Sequence, residues 1–164
     1  MNNHEALGEG PLSDHRLSNW GVLVEGYSRV MARLQQDLQN ECGLPPTWFE
    51  VLLRLARSPG GRLKMTELAV EVSFSSGGFT RLADRLEAAG YLGREPCPTD
   101  RRAAYAVITA DGRSVVEHAA KVHVRGLQAY VFDHLSDAEL TAWVHAARTV
   151  REAQSRSADS DPGH

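Results

Sequence analysis

The spacing of apolar residues changes near Gly90, and this change limits the folds that the chain can adopt. Before Gly90 the apolar residues recur every three to four positions, first over residues 17–42, which is the period of an amphipathic helix. After it, residues 91–95 and 103–108 are rich in small, aromatic and β-branched side chains, which favour strands. Helical spacing then returns up to about residue 150. The sequence therefore predicts a mainly α (α+β) fold with one β-hairpin.

Local signals indicate where the helices begin and end. Gly43, Leu44 and two prolines should end the first helix, because glycine accepts the left-handed conformation and proline cannot continue a helix. Capping boxes of the form Ser/Thr-x-x-Glu predict helix starts at 47–50 and 136–139. Ser75 is the predicted N-cap of a helix that ends at Gly90, and Thr109 caps the helix that follows the hairpin. The expected helices span about 17–42, 47–57, 64–72, 76–90, 110–134 and 137–154.

Two short helices joined by a tight turn and followed by a hairpin form a winged helix-turn-helix. Here long amphipathic helices lie on both sides of it in the sequence, and their apolar stripes exceed what some sixty central residues can cover. We therefore predict a homodimer whose terminal helices bury one another. The expected segments are a disordered tail (1–14), a dimerisation helix (15–45), the winged helix-turn-helix (46–109), the C-terminal dimerisation helices (110–154) and a second disordered tail (155–164).

Length and composition exclude several classes of protein. The 164 residues suffice for one domain, and no apolar run approaches the ~20 residues of a membrane span. The N-terminus has no apolar core of a signal peptide, and two cysteines do not make a disulfide framework, so we expect a cytoplasmic protein. The net charge is −3, yet residues 54–113 hold ten Lys and Arg against seven Asp and Glu. A basic centre between acidic flanks suggests that one face binds an anion.

The central residues resemble those of the MarR family of bacterial transcriptional regulators. Residues 75–113 are similar to that family's recognition helix and wing, including the segment DRRAAYAVIT at 100–109. MTELA at 65–69 and LSDAEL at 135–140 match the preceding helix and the start of the last helix. The resemblance covers about residues 17–153, with Gly77-Gly78 and Cys97 as departures. It implies a repressor of a pseudo-palindromic operator in double-stranded DNA.

A recognition helix contacts bases with the residues of its N-terminal half. At ~100° per residue, Phe79, Leu82 and Leu86 should face the core while Thr80 and Arg81 face outward. Arginine can form a bidentate pair with guanine, and an arginine in the wing suits a narrow minor groove. By resemblance, Arg102 enters that groove, Asp100 holds it in place and Arg101 is the second choice. The candidate DNA contacts are Arg62, Lys64, Ser75, Ser76, Gly77, Thr80, Arg81, Arg94, Asp100, Arg101 and Arg102.

Other functions rest on weaker patterns. The family resemblance implies a small aromatic effector, for which Trp20, Tyr27 and Trp48 are the candidate pocket residues. Cys42 and Cys97 leave a redox-responsive regulator open. A winged-helix dimer used only for protein contacts and a small enzyme are the remaining alternatives. Enzyme, cofactor and metal motifs are absent from the sequence, so neither catalytic residues nor cofactors are predicted.

Overall fold

The computed structural model describes residues 14–97, 100 and 103–159, with the backbone alone at Ser76 and at residues 155–159. The chain divides into two compact units, residues 1–124 and 125–164. Across the described ranges the chain forms six α-helices, three strands and two short 3-10 turns. In chain order the helices and strands are α1 (His15–Cys42), α2 (Pro46–Arg57), β1 (Arg62–Lys64), α3 (Met65–Glu71), α4 (Ser76–Ala88), β2 (Leu92–Pro96), β3 (Ala104–Ile108), α5 (Ala110–Tyr130) and α6 (Asp137–Asp159).

The strands form one antiparallel sheet in the order β1-β3-β2. The hairpin of β2 and β3 was predicted, whereas β1 was not. β1 has only three residues and pairs with β3 from Arg62↔Val107 to Lys64↔Tyr105, so its pairing depends on tertiary structure. β2 extends one residue beyond the predicted strand and ends at Pro96, opposite Ala104. A proline is tolerated at such a position because its missing N–H falls at the end of the ladder.

Most of the predicted caps are confirmed. Gly43 adopts φ 60° and its N–H donates to Gln39 O, which is the bond of the αL C-cap, and the N–H of the buried Leu44 donates to Leu38 O. The Ser75 hydroxyl accepts from Gly78 N at 3.3 Å. Thr109 Oγ1 accepts from Gly112 N at 3.0 Å at the start of α5.

The second capping box also forms. Ser136 N donates to Glu139 Oε2 at 2.8 Å, and Glu139 N donates to Ser136 Oγ at 3.4 Å. The Ser136 hydroxyl also donates to Glu139 Oε2 at 2.6 Å. This bond and the one from Ser136 N lower the pKa of the Glu139 carboxyl, because they stabilise its charged form.

The predicted capping box at Thr47–Glu50 was wrong. Pro45 is the N-cap of α2 and has no side-chain cap, while Pro46 is the first helical residue. Proline suits that position because its φ is already helical and its N–H would lack a helical partner. Glu50 instead accepts a hydrogen bond from Arg54 Nη2 at 3.1 Å.

The last two helices differ from prediction at their ends. α5 stops at Tyr130 and a 3-10 turn covers Phe132–His134, where an unbroken helix was expected. α6 continues to Asp159, so residues 155–159 are helical rather than part of the predicted disordered tail. The sequence has no glycine or proline between Asp137 and Pro162, and extending an existing helix by a few residues costs little free energy. The predicted tails at 1–13 and 160–164 lie outside the described residues.

The core of the first unit joins the helix-turn-helix to the sheet. Leu52, Leu55, Leu68, Phe79 and Leu86 are almost fully buried in it. Leu92, Ala106 and Ile108 from β2 and β3 belong to the same cluster, as do Val116 and Ala119 of α5. This packing fixes α4 and the base of the hairpin on one core. No described helix is long and apolar enough to cross a membrane.

Candidate nucleic-acid interface

The recognition helix α4 has the two faces that its sequence predicts. Phe79, Leu82 and Leu86 are buried, as is Ala83, while the opposite side is open to solvent. The apolar side of α4 is packed in the core, and the N-terminal half of its polar side faces solvent. The exposed side carries Gly77, Thr80, Arg81, Asp84 and Arg85.

The first turn of α4 exposes backbone rather than side chains. Ser75 caps it, and a Cβ added at Gly77 would meet no atom within 4 Å. At Gly78 an added Cβ would lie 3.1 Å from Ser75 Oγ. The N–H groups of a helix start attract phosphate oxygens, and glycine lets those oxygens approach closely. The side chain of Ser76, another predicted contact, lies outside the described structure.

The two arginines of α4 differ from the arginine at the base of the wing. In the described part of the chain, neither Arg81 nor Arg85 forms a salt bridge. Arg94 of β2 instead contacts two carboxylates of α4. Its Nη2 lies 2.5 Å from Asp84 Oδ1 and its Nη1 lies 3.5 Å from Glu87 Oε2. The structure thus leaves the side chain of Arg81 exposed to solvent and places that of Arg94 against the acidic residues of α4.

The two basic residues before α3 are also paired. Arg62 Nη1 lies 3.4 Å from Glu95 Oε2, and its guanidinium lies 5.0 Å from the centre of the Tyr105 ring. Lys64 Nζ lies 3.6 Å from Glu67 Oε1. About half of each of these charged side chains is exposed, and such pairs contribute little net stability in water. Both cations can therefore exchange a carboxylate for a phosphate at small cost.

The tip of the wing is described only in part. Asp100 is exposed, its carbonyl accepts from Ala103 N at 3.0 Å, and Cys97 N donates to Ala103 O at 3.0 Å. The bond between Cys97 and Ala103 continues the pairing of β2 with β3 by one step. The predicted minor-groove contacts Arg101 and Arg102 lie outside the described residues.

The three aromatic residues predicted for an effector pocket lie in different surroundings. Trp20 and Tyr27 are exposed on α1. Trp48 is half-buried at the start of α2 and meets Tyr91 edge-to-face, with the ring centres 6.1 Å apart. Tyr91 was not predicted, because its place beside α2 depends on how the hairpin packs.

The two cysteines and His123 are groups that could bind a metal or react with an oxidant. Cys42 is half-buried, Cys97 is buried, and neither forms a disulfide. His123 lies with its ring 5.0 Å from that of Phe49, and its Nδ1 is buried without a hydrogen-bond partner in the described structure. Burial lowers the pKa of His123. Among the described residues, no group of three or more His, Cys, Asp or Glu is arranged to hold a metal ion.

Comparison with known proteins identifies the family. A model of the MarR family matches residues 43–103, which include α2, α3, α4 and β2. The HTH-type transcriptional regulator YkoM of Bacillus subtilis is 34% identical over 127 residues, which cover 77% of this chain and 79% of YkoM. The chain belongs to the MarR family.

Solved structures of MarR family proteins share this fold over most of the chain. Sco3205, a MarR family transcriptional regulator from Streptomyces coelicolor solved in complex with DNA, is 30% identical and superposes with a TM-score of 0.80. The match covers 86% of this chain and 89% of Sco3205. BpsR of Bordetella bronchiseptica, whose DNA binding is regulated by 6-hydroxynicotinic acid, is 25% identical with a TM-score of 0.69. That match covers 82% of this chain and 98% of BpsR.

Membership of the MarR family confirms the predicted winged helix-turn-helix. The relatives are transcriptional regulators, which supports a role other than catalysis. Sequence reasoning missed two features of this interface, namely β1 and the contact of Arg94 with the acidic residues of α4.

Proposed function

We propose that this protein binds a pseudo-palindromic DNA operator as a homodimer, represses transcription there, and is released by a small aromatic ligand. The observation that supports DNA binding most strongly is the exposed side of α4. Gly77, Thr80 and Arg81 lie there in open solvent, on a helix whose other side is anchored in the core. The similarity to Sco3205, solved in complex with DNA, also supports DNA binding.

DNA recognition is divided between α4 and the wing. Arg81 is suited to a guanine edge in the major groove, with Thr80 beside it and the backbone at Gly77 next to a phosphate. The wing carries Arg102 into the minor groove and Arg101 next to it, as the family resemblance implies. Arg62 and Lys64 add phosphate contacts by exchanging their carboxylate partners.

DNA binding is tested by selecting duplexes from random-sequence DNA and measuring affinity by fluorescence anisotropy at several salt concentrations. We expect one selected sequence, steep salt dependence, and much weaker binding to a scrambled duplex. Arg102→Ala should weaken binding most on duplexes with A/T-rich flanks and lower the salt slope by about 1 per half-site. A protein that enriches no duplex and binds DNA independently of salt would support the alternative in which the dimer serves only protein contacts.

The homodimer is supported by apolar side chains that each terminal helix leaves in solvent. On α1, Trp20, Leu23 and Tyr27 are 63%, 57% and 59% exposed. On α6, Trp143 and Val150 are 45% and 59% exposed. Large apolar residues at helical spacing are usually buried, and a second copy of the chain covers both helices.

Ligand release is supported by the aromatic residues and by the regulation of BpsR by 6-hydroxynicotinic acid. Trp48, half-buried against Tyr91, is the residue best placed to contact a planar ligand, with Trp20 and Tyr27 as further candidates. A panel of small aromatic acids and phenols is added to the DNA complex while anisotropy is followed. We expect one compound to release the DNA, with a higher concentration needed for Trp48→Leu.

Replacing Cys42 and Cys97 by Ser should leave the release of DNA by this compound intact. Loss of release in this double variant would favour the redox alternative.

A further inference from the structure

The side chain of Arg94 points from the wing towards the recognition helix. In β2, Arg94 pairs with Ala106, and Leu92 pairs with Ile108 two residues earlier. Alternate residues of a strand share a face, and Leu92, Ala106 and Ile108 are all buried. Arg94 therefore extends from the core face of the sheet, which is the face that packs against α4.

The guanidinium of Arg94 bridges two successive turns of α4. Asp84 and Glu87 are three residues apart, so their carboxylates lie on one side of the helix. Arg94 contacts one with each terminal nitrogen, at 2.5 Å and 3.5 Å. The arginine side chain is only 32% exposed, less than either carboxylate. A planar fork suits this bridge, and a lysine has only a single point of charge.

We propose that Arg94 is a positioning residue that fixes the wing relative to the recognition helix, and that it serves DNA recognition in this way rather than by binding phosphate. This inference rests on the proposed function. A dimer that contacts a major groove with α4 and a minor groove with the wing gains affinity only if the two elements are held at the matching separation. Arg94 holds that separation and also offsets half of the negative charge of Asp84 and Glu87, which repels the DNA.

Substituting the two carboxylates distinguishes a positioning role of Arg94 from phosphate binding. Replacing Asp84→Asn and Glu87→Gln together removes two negative charges from α4 and leaves Arg94 without its partners. If Arg94 is a phosphate contact, the double variant should bind every duplex more tightly. If Arg94 positions the wing, the ratio of affinities for the selected and scrambled duplexes should fall by about threefold to tenfold, the scale of two partly exposed ion pairs.

The chain offers a matched control. Arg54 lies between Glu50 and Glu71 at 3.1 Å and 3.3 Å, so it too bridges two carboxylates, but it links α2 to α3. Glu50→Gln with Glu71→Gln removes the same charge from that cluster. We expect this control to change the affinities for both duplexes alike and to leave their ratio unchanged.

The experiment uses the full chain and the duplex that it selects from random DNA, with a scrambled duplex of equal composition. A fall in the affinity ratio for the Asp84/Glu87 variant but not for the Glu50/Glu71 variant supports the proposal. Equal tightening on both duplexes, as in the control, would overturn it. Arg94→Lys gives a second comparison, since a phosphate contact tolerates lysine whereas the two-carboxylate bridge does not.

A measurement without DNA separates this proposal from the proposed function. Urea unfolding of the parent, Arg94→Gln, the Asp84/Glu87 variant and their combination forms a double-mutant cycle. The bridge predicts that the Arg94 substitution lowers the unfolding midpoint less when the two carboxylates are already gone. If the parent selects no DNA, the proposed function fails, and additive effects in this cycle would independently overturn the bridge.

Discussion

Gly112 lies where α5 meets the turn that leads into β2, and this contact has no space for a side chain. Thr109 N donates to Tyr91 O at 3.1 Å, and Thr109 Oγ1 donates to Gly90 O at 2.7 Å, so the start of α5 is held against residues 90–91. A Cβ at Gly112 would overlap the Tyr91 carbonyl oxygen. Backbone atoms are involved, so the strain cannot be relieved by rotating a side chain.

Gly112→Ala should therefore lower the free energy of unfolding by about 1–3 kcal/mol, the usual cost of overpacking. Gly77→Ala is the matched control, because its Cβ meets open space within a helix. There the free energy of unfolding should stay constant or rise by up to ~1 kcal/mol. Urea unfolding followed by circular dichroism measures both, and equal effects at the two positions would contradict the described contact.

His123 gives a second prediction at the scale of one residue. Burial lowers its pKa, so the unfolded chain takes up a proton near the ordinary value of 6.5 while the folded protein does so only at lower pH. The unfolded state then binds more protons, and stability must decrease as the pH falls below about 6.5. His123→Gln should make the unfolding free energy less dependent on pH between 7.5 and 5.5.

Among the helices, α4 is the one on which the proposed function depends. Arg81→Ala should cost ~1–3 kcal/mol of binding on the selected duplex and little on a scrambled one, because a guanine contact contributes only at the right base. Arg57→Ala, which removes an equal charge from an exposed position on α2, should have no such preference. Fluorescence anisotropy measures both variants. An equal loss on the two duplexes would mean that Arg81 contacts phosphate.

The sequence predicted the elements whose signals are local. Ser75 as a cap and the spacing of Phe79, Leu82 and Leu86 were sufficient for α4, and the caps at Thr109 and Ser136 were sufficient for the starts of α5 and α6. The start of α2 was misjudged because Pro46 and Thr47 give competing signals one residue apart.

The remaining features depend on tertiary structure. β1 has too few residues to show alternation and exists only through its pairing with β3. The partners of Arg94 lie seven and ten residues before it, and their meeting depends on how the hairpin folds over α4. The exposed side of α4 was predictable, whereas the contact between α4 and the wing was not.

For the whole molecule, the proposed function requires two copies of the chain. Leu23→Glu with Tyr27→Glu places two charges on the exposed apolar side of α1, where burial of each large apolar residue contributes ~1.5–3 kcal/mol. We expect the parent to sediment as a dimer at micromolar concentration and this variant as a monomer. Val70→Glu is the control, since Val70 is 78% exposed but lies on α3. A compact parent monomer at that concentration would contradict the proposed homodimer.

Hydroxyl-radical footprinting of the parent protein on its selected duplex tests whether a two-fold dimer places two recognition helices on one face of the DNA. A two-fold dimer that inserts one α4 into each of two successive major grooves should protect two segments on one face of the DNA, with centres about 10 base pairs apart. The same face should be protected in the minor groove flanking each segment, where the wings lie. Protection of a single segment, or uniform protection with no repeat, would contradict the account.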